Sequence, residues 1–150
     1  MRSRRLFLRL FYYVCITGLC LISNASEIKS HLSSLPGVVS VEEIIAPAFF
    51  EEKFLVRFEQ YLDINDPSAG VFEQRLFVRH KNISSPVVFI TEGYSAVYGS
   101  SASHVNELSD MLNANQILVE HRFFGESVPA NVNYDYLTAS AAADDLHRIR

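Results

Sequence analysis

The apolar rhythm of this chain changes partway along, and that change limits its fold more than any other feature. Phe54, Val56 and Phe58 alternate with Leu55, Arg57 and Glu59. The turn-rich segment Asp63-Ile64-Asn65-Asp66-Pro67-Ser68-Ala69-Gly70 follows, and then Phe72, Gln74, Leu76 and Val78 alternate with Glu73, Arg75, Phe77 and Arg79. A two-residue period around a turn predicts an antiparallel hairpin with one wet and one buried face. After Pro86 the alternation stops. Val87-Val88-Phe89-Ile90 is continuously apolar, as is Ile117-Leu118-Val119 after Gln116. Such runs predict short strands buried on both faces.

Between these runs, Val105, Leu108, Met111 and Leu112 fall at helical spacing within residues 104–112. From Tyr136 to Arg150 the chain is alanine-rich, with Leu137, Ala141, Asp144 and Leu146 in a helical setting and Thr138 or Ser140 placed to cap it. A hairpin feeding βαβα predicts the α/β class with a mixed sheet. Two buried strands with one crossover make only half of such a sheet, and the last helix meets no glycine or proline stop before Arg150. The expectation is an incomplete sheet with one parallel edge open, which soluble domains avoid. Residues 26–36 read as an exposed lead-in, and Val38 to Ile45 as a short strand or a docking segment.

The N-terminus is a different material. Arg2, Arg4, Arg5 and Arg9 precede an apolar stretch from Leu10 to Ile22, and Ser23-Asn24-Ala25 supplies small residues for a cut after Ala25. This predicts a signal peptide over residues 1–25, with the mature domain at 26–150 and export from the cytoplasm, secreted or periplasmic. The rival reading is a membrane anchor, but a spanning helix needs about 20 apolar residues, so no stable membrane insertion is expected after cleavage.

Both cysteines, Cys15 and Cys20, lie inside the signal. The mature chain therefore has neither disulfides nor cysteine–zinc sites. Removing the signal's four arginines leaves 9 of the 13 Lys and Arg against 17 Asp and Glu, so the net charge moves from −4 to −8. No basic cluster survives to track a phosphate backbone, which argues against nucleic acid as a partner. Asn82-Ile83-Ser84 is a glycosylation sequon, relevant only in a eukaryotic host.

Two segments stand at the carboxyl ends of the predicted parallel strands, where α/β sheets collect ligands. Thr91-Glu92-Gly93-Tyr94 places a glycine where backbone N–H groups can approach a substrate, as an oxyanion hole requires; from spacing alone a simple turn is the plainer reading. Glu120-His121-Arg122-Phe123-Phe124-Gly125-Glu126-Ser127 gathers three ionisable residues at a strand end. Glu120 and Arg122 can brace a site, and His121 can serve as base or linker, but a satisfied structural network is the reading favoured. Gly93-Tyr94-Ser95 has the outline of a nucleophile elbow, yet Val97 fills the position where G-x-S-x-G needs a small residue. Ser95 is read as a loop serine. Asp144, Asp145 and His147 are read as the solvated face of the last helix, since they make neither a triad with Ser95 nor a convincing metal site.

Taken in order, Gln74-Arg75-Leu76, Pro86-Val87-Val88, Thr91-Glu92-Gly93-Tyr94, Glu107-Leu108, Asn113-Ala114-Asn115-Gln116, Val119 to Ser127, Tyr136-Leu137-Thr138 and Ala143 to Ile149 resemble the secreted tripeptidyl-aminopeptidase (PS-ten) family of serine peptidases. The resemblance covers roughly residues 50–150. The Glu-His-Arg-aromatic-aromatic-Gly block is also similar to that of prolyl carboxypeptidase and dipeptidyl peptidase relatives.

The resemblance implies the N-terminal part of an α/β-hydrolase fold, a Ser-Asp-His triad, and release of short peptides from the N-termini of peptide or protein substrates without a metal or organic cofactor. The triad would lie beyond Arg150, so this stretch alone is expected to be inactive. Carried over by position, Gly93 and Tyr94 match the oxyanion loop, while Glu120, His121, Arg122 and Gly125 match a block read as support of the site. Charge and place make Glu92 a candidate for a substrate amine. Two other readings are a small secreted binding module without catalysis and a related esterase-type hydrolase.

Overall fold

The hairpin forms where the alternation predicts it. In the computed structural model, which describes residues 26–150, β2 (Glu52–Tyr61) and β3 (Val71–His80) pair antiparallel from Glu52↔His80 to Tyr61↔Val71. The expected signal over residues 1–25 lies outside the described residues. Turn chemistry fixes the connection: a single turn of 3-10 helix, Pro67–Ala69, is capped by Asp66, whose Oδ1 accepts the Ser68 N–H at 3.1 Å.

The segment left open between strand and docking element is a strand, β1 (Val38–Glu43), antiparallel to β2. The apolar runs become β4 (Val87–Thr91) and β5 (Asn115–Val119). The sheet order is β1-β2-β3-β5-β4, with β5 antiparallel to β3 and parallel to β4. The fold is therefore α/β with a five-stranded mixed sheet that does not close.

Each face has its own cover. Phe54, Val56, Phe58, Leu76 and Val119 form the larger core, against which Ile28, Leu32, Leu146 and Ile149 pack. The first two belong to α1 (Glu27–Ser34) and the last two to α3 (Ala139–Ile149). Burying each such side chain contributes about 1.5–3 kcal/mol before chain entropy is charged. On the opposite face Phe77 and Leu118 are covered by Ala96 and Tyr98.

Four expectations change. Residues 26–36 contain a helix, capped by Ser26 and docked through Ile28 and Leu32, where a lead-in was expected. The hairpin's predicted wet face is partly covered, because the chain after β4 folds back over Phe77 and Arg79. β4, expected to be buried on both faces, is half-buried, since among the described residues it pairs on one side alone and forms the open parallel edge expected of an incomplete sheet. The helix expected over 104–112 shrinks to α2 (Glu107–Met111), whose Leu108 and Met111 are exposed while Ser109 is buried. In α3, Thr138 is the cap, accepting the Ala141 N–H at 3.1 Å.

Candidate active site

Parallel pairing puts the two candidate segments side by side. Thr91 lies opposite Val119, so Glu92-Gly93-Tyr94 and Glu120-His121-Arg122 leave the sheet together at its carboxyl end. The Glu92 N–H still donates to the Val119 carbonyl at 3.1 Å, and the His121 N–H reaches the Tyr94 carbonyl at 3.4 Å.

Glu120 ties the two loops into one body. Its fully buried carboxylate accepts the Ala96 N–H at 2.9 Å and the Ser95 hydroxyl at 3.3 Å on Oε1. The other oxygen accepts the Glu126 N–H at 2.9 Å and the Ser127 hydroxyl at 2.8 Å. Arg75 adds an ion pair at 2.5 Å and also bonds Glu126, which a second arginine, Arg57, grips from β2. Burial pushes the Glu120 carboxyl up, but the bonds from Arg75, Ala96, Ser127 and Glu126 outweigh it and hold the group below its ordinary value.

Gly125 makes this possible. Its φ is +56°, and a Cβ there would collide with the Glu120 carboxylate. Ser95 serves as a ligand of that carboxylate, in keeping with its reading as a loop serine.

Arg122 is a second buried hub. Nε and Nη2 hold Asp145 at 2.7 and 2.8 Å, and the remaining N–H groups donate to the carbonyls of Tyr61, Leu62 and Tyr136. All five guanidinium donors are used. Asp145 therefore belongs to the interior, at 2% exposure, and not to a solvated helix face. Burial pushes its carboxyl up, with Arg122 pulling the other way. The favoured sequence reading of the Glu-His-Arg block, a satisfied network, holds for Glu120 and Arg122. His121 is half-buried, and its Nδ1 lies 2.9 Å from the Arg122 carbonyl.

Around Gly93 the surface is open. A Cβ built there meets nothing within 4 Å. Among the described residues, no acceptor engages the backbone N–H groups of Gly93 or Tyr94. Glu92 is half-exposed and accepts the Tyr98 hydroxyl, whose proton is held more tightly than usual by burial first and then by Glu92.

Beneath this loop two buried cations stand opposite each other on the hairpin, Lys53 and Arg79. Lys53 Nζ donates to the Ser101 carbonyl at 2.8 Å, and Arg79 to the carbonyls of Gly99 and His104 at 3.0 Å each. Burial, with Arg79 second, lowers the Lys53 ammonium to about 8. Sequence reasoning missed Arg75, Asp145, Lys53 and Arg79 because each sits on a face that periodicity assigns to solvent. The charges at alternating strand positions were the one available signal.

Among the described residues, no group of three or more His, Cys, Asp or Glu is placed to hold a metal ion, and no helix is long and apolar enough to cross a membrane.

The fold and the site define an α/β protein with two loops bound together at the carboxyl ends of adjacent parallel strands. The family model described as PS-10 peptidase S37 matches residues 22–150. The chain belongs to that family. A prolyl tri/tetrapeptidyl aminopeptidase of Streptomyces mobaraensis is 33% identical over 124 residues, covering 83% of this chain and 25% of that protein. The chain thus spans about a quarter of the length of this curated relative.

Proposed function

We infer that this chain is the N-terminal part of an exported serine peptidase that releases short peptides, tripeptides first among them, from the N-termini of its substrates. One observation carries the reading: the unengaged N–H groups of Gly93 and Tyr94, on a loop fixed by buried Glu120 at the carboxyl end of a parallel strand. Pre-positioned donors of this kind stabilise the oxyanion of acyl transfer because they need no reorganisation during reaction. In this reading Gly93 and Tyr94 supply donors, Glu120, Arg122 and Gly125 brace them, and His121 packs behind them. Glu92 keeps its second carboxylate oxygen for a substrate amine. Family membership and the printed name of the Streptomyces relative support peptidase chemistry, and that name makes proline the first residue to test beside the scissile bond.

The sheet supports an α/β-hydrolase core continuing past β4. An open groove of about 580 Å³ lies between one face of β4 and β5 and the helix α3, lined by Val87, Phe89, Ile117, Leu146 and Ile149 among others. In the proposal a further strand pairs with the free edge of β4 and delivers the nucleophilic serine next to Gly93.

The test is made on the natural exported protein. Its mass and peptides are read by mass spectrometry, and its activity is measured on a tripeptide amide with a free amine, the same amide N-blocked, and a short-chain ester. Expected are peptides reading through Arg150, a mature start near Ser26, cleavage of the free-amine amide, and fluorophosphonate labelling of a serine beyond Arg150. A product slightly below 17.0 kDa with no hydrolysis would overturn the proposal and leave the binding-module reading. Turnover of the ester alone would leave the esterase reading.

A further inference from the structure

Three residues stand in one row across the sheet, facing the crossover that follows β4. Lys53 on β2 is opposite Arg79 on β3, and Arg79 is opposite Gln116 on β5. Residues paired in this way share a face, with Cβ atoms about 4.5–5.5 Å apart. All three are fully buried. Each holds the crossover by polar bonds. Lys53 Nζ donates to Ser101, and Arg79 to Gly99 and His104. Gln116 Oε1 accepts the Ser109 hydroxyl at 3.1 Å and the Asn106 N–H at 3.4 Å.

The row is rich in donors and poor in negative charge. Among the described residues, Arg79 Nε and Gln116 Nε2 are buried without a partner. Lys53 uses one of its three N–H groups. Among the same residues, no carboxylate pairs with either cation. Glu92 is engaged by the Tyr98 hydroxyl. His104, edge-on to the Tyr98 ring at 4.6 Å, is held below its ordinary value by burial first and then by Arg79. The same two causes draw Lys53 down to about 8. Arg75 also has an unpartnered Nε, but its charge is met by Glu120 and Glu126. Lys53 and Arg79 meet only carbonyls, and interiors rarely keep such charge uncompensated.

We propose that Arg79 Nε and Gln116 Nε2 bind one small monovalent anion of the halide class, with Lys53 as the second positive charge beside it. A water molecule accepts the same two N–H groups but carries no charge, so it leaves the cation pair uncompensated. A carboxylate or phosphate brings more oxygens than two adjacent donors can satisfy where no solvent reaches. The site is independent of the peptidase reading. Bound there, the anion completes the seat of the crossover whose first residues include Gly93 and Tyr94.

The experiment follows the urea midpoint of the full-length protein in sodium chloride and in sodium gluconate of equal ionic strength, for the wild type and Gln116→Glu. Glutamate keeps the acceptor for Asn106 and Ser109, removes the Nε2 donor and sets a carboxylate beside Arg79. General salt effects act on both proteins alike, so the reading is the difference between them. Expected is a saturable rise with chloride in the wild type that the variant lacks. Lys53→Met is the second variant and should raise the chloride concentration at half-effect about tenfold or more. Crystals grown in sodium bromide should show an anomalous peak against Arg79 Nε and Gln116 Nε2. A chloride response no larger than that to gluconate, or one equal in the wild type and Gln116→Glu, overturns the site. So does an unchanged half-effect in Lys53→Met, or a bromide crystal with only water at the two donors.

Discussion

Replacing Glu120 by glutamine tests whether one buried carboxylate holds the site together. The substitution keeps the shape and exchanges one oxygen for an NH2 group. If the NH2 takes the Oε1 position, the Ala96 N–H, the Ser95 hydroxyl and Arg75 lose their acceptor; in the Oε2 position the Glu126 N–H and the Ser127 hydroxyl lose theirs. Each hydrogen bond to a charged group contributes about 1.5–3 kcal/mol net, and removing one member of a buried pair costs about 3–5 kcal/mol. The expected loss for Glu120→Gln is therefore about 3–5 kcal/mol, read as a lowered urea midpoint of the full-length protein by circular dichroism.

On the peptidase reading proposed above, loosening the loop should also lower kcat by about 10- to 1000-fold, toward the cost of losing an oxyanion donor, with KM changed only a few-fold. The pH dependence follows from the lowered carboxyl. Native Glu120 releases its proton more readily than an ordinary carboxyl at 4.5. Its contribution is therefore complete above that pH and is lost as pH falls through the native value. Glu120→Gln should lack this acid step. A variant within about 0.5 kcal/mol and twofold in kcat of the wild type would refute the reasoning.

Lys53→Met should alter the alkaline limb of stability: with the native ammonium near 8 against 10.5 unfolded, the unfolded chain binds more protons between these values, so wild-type stability gains from rising pH there and the variant lacks that gain, as unfolding at pH 7 to 10.5 will show. Gly125→Ala should cost about 2 kcal/mol or more, through φ +56° and collision with Glu120, whereas Gly93→Ala, which meets nothing, should stay within about 0.5 kcal/mol by urea titration. Arg122→Lys keeps the charge but not the five-donor fork, and should lower stability by about 3–5 kcal/mol by leaving Asp145 underbonded.

Periodicity determined β2 to β5 and that the hairpin precedes a parallel pair, because the two-residue alternation and the continuous apolar runs are local properties of the chain, while β1 was left open. Spacing and motif also made Glu92, Gly93, Tyr94 and the Glu120-to-Gly125 block candidates before any contact was known. Tertiary structure decided the rest. Val87 to Thr91 reads as buried on both faces and is half-buried among the described residues, where it forms the open parallel edge that the count of strands had already predicted. Arg79 and Lys53 read as wet positions and are buried because the loop after β4 returns over them, and Arg75 because the turn after β5 brings Glu120 and Glu126 to it. Asp145 reads as a surface charge and lies inside, since its partner Arg122 comes from 23 residues away. A strand is specified by its own side chains, whereas a buried ion pair is specified only by two distant segments meeting.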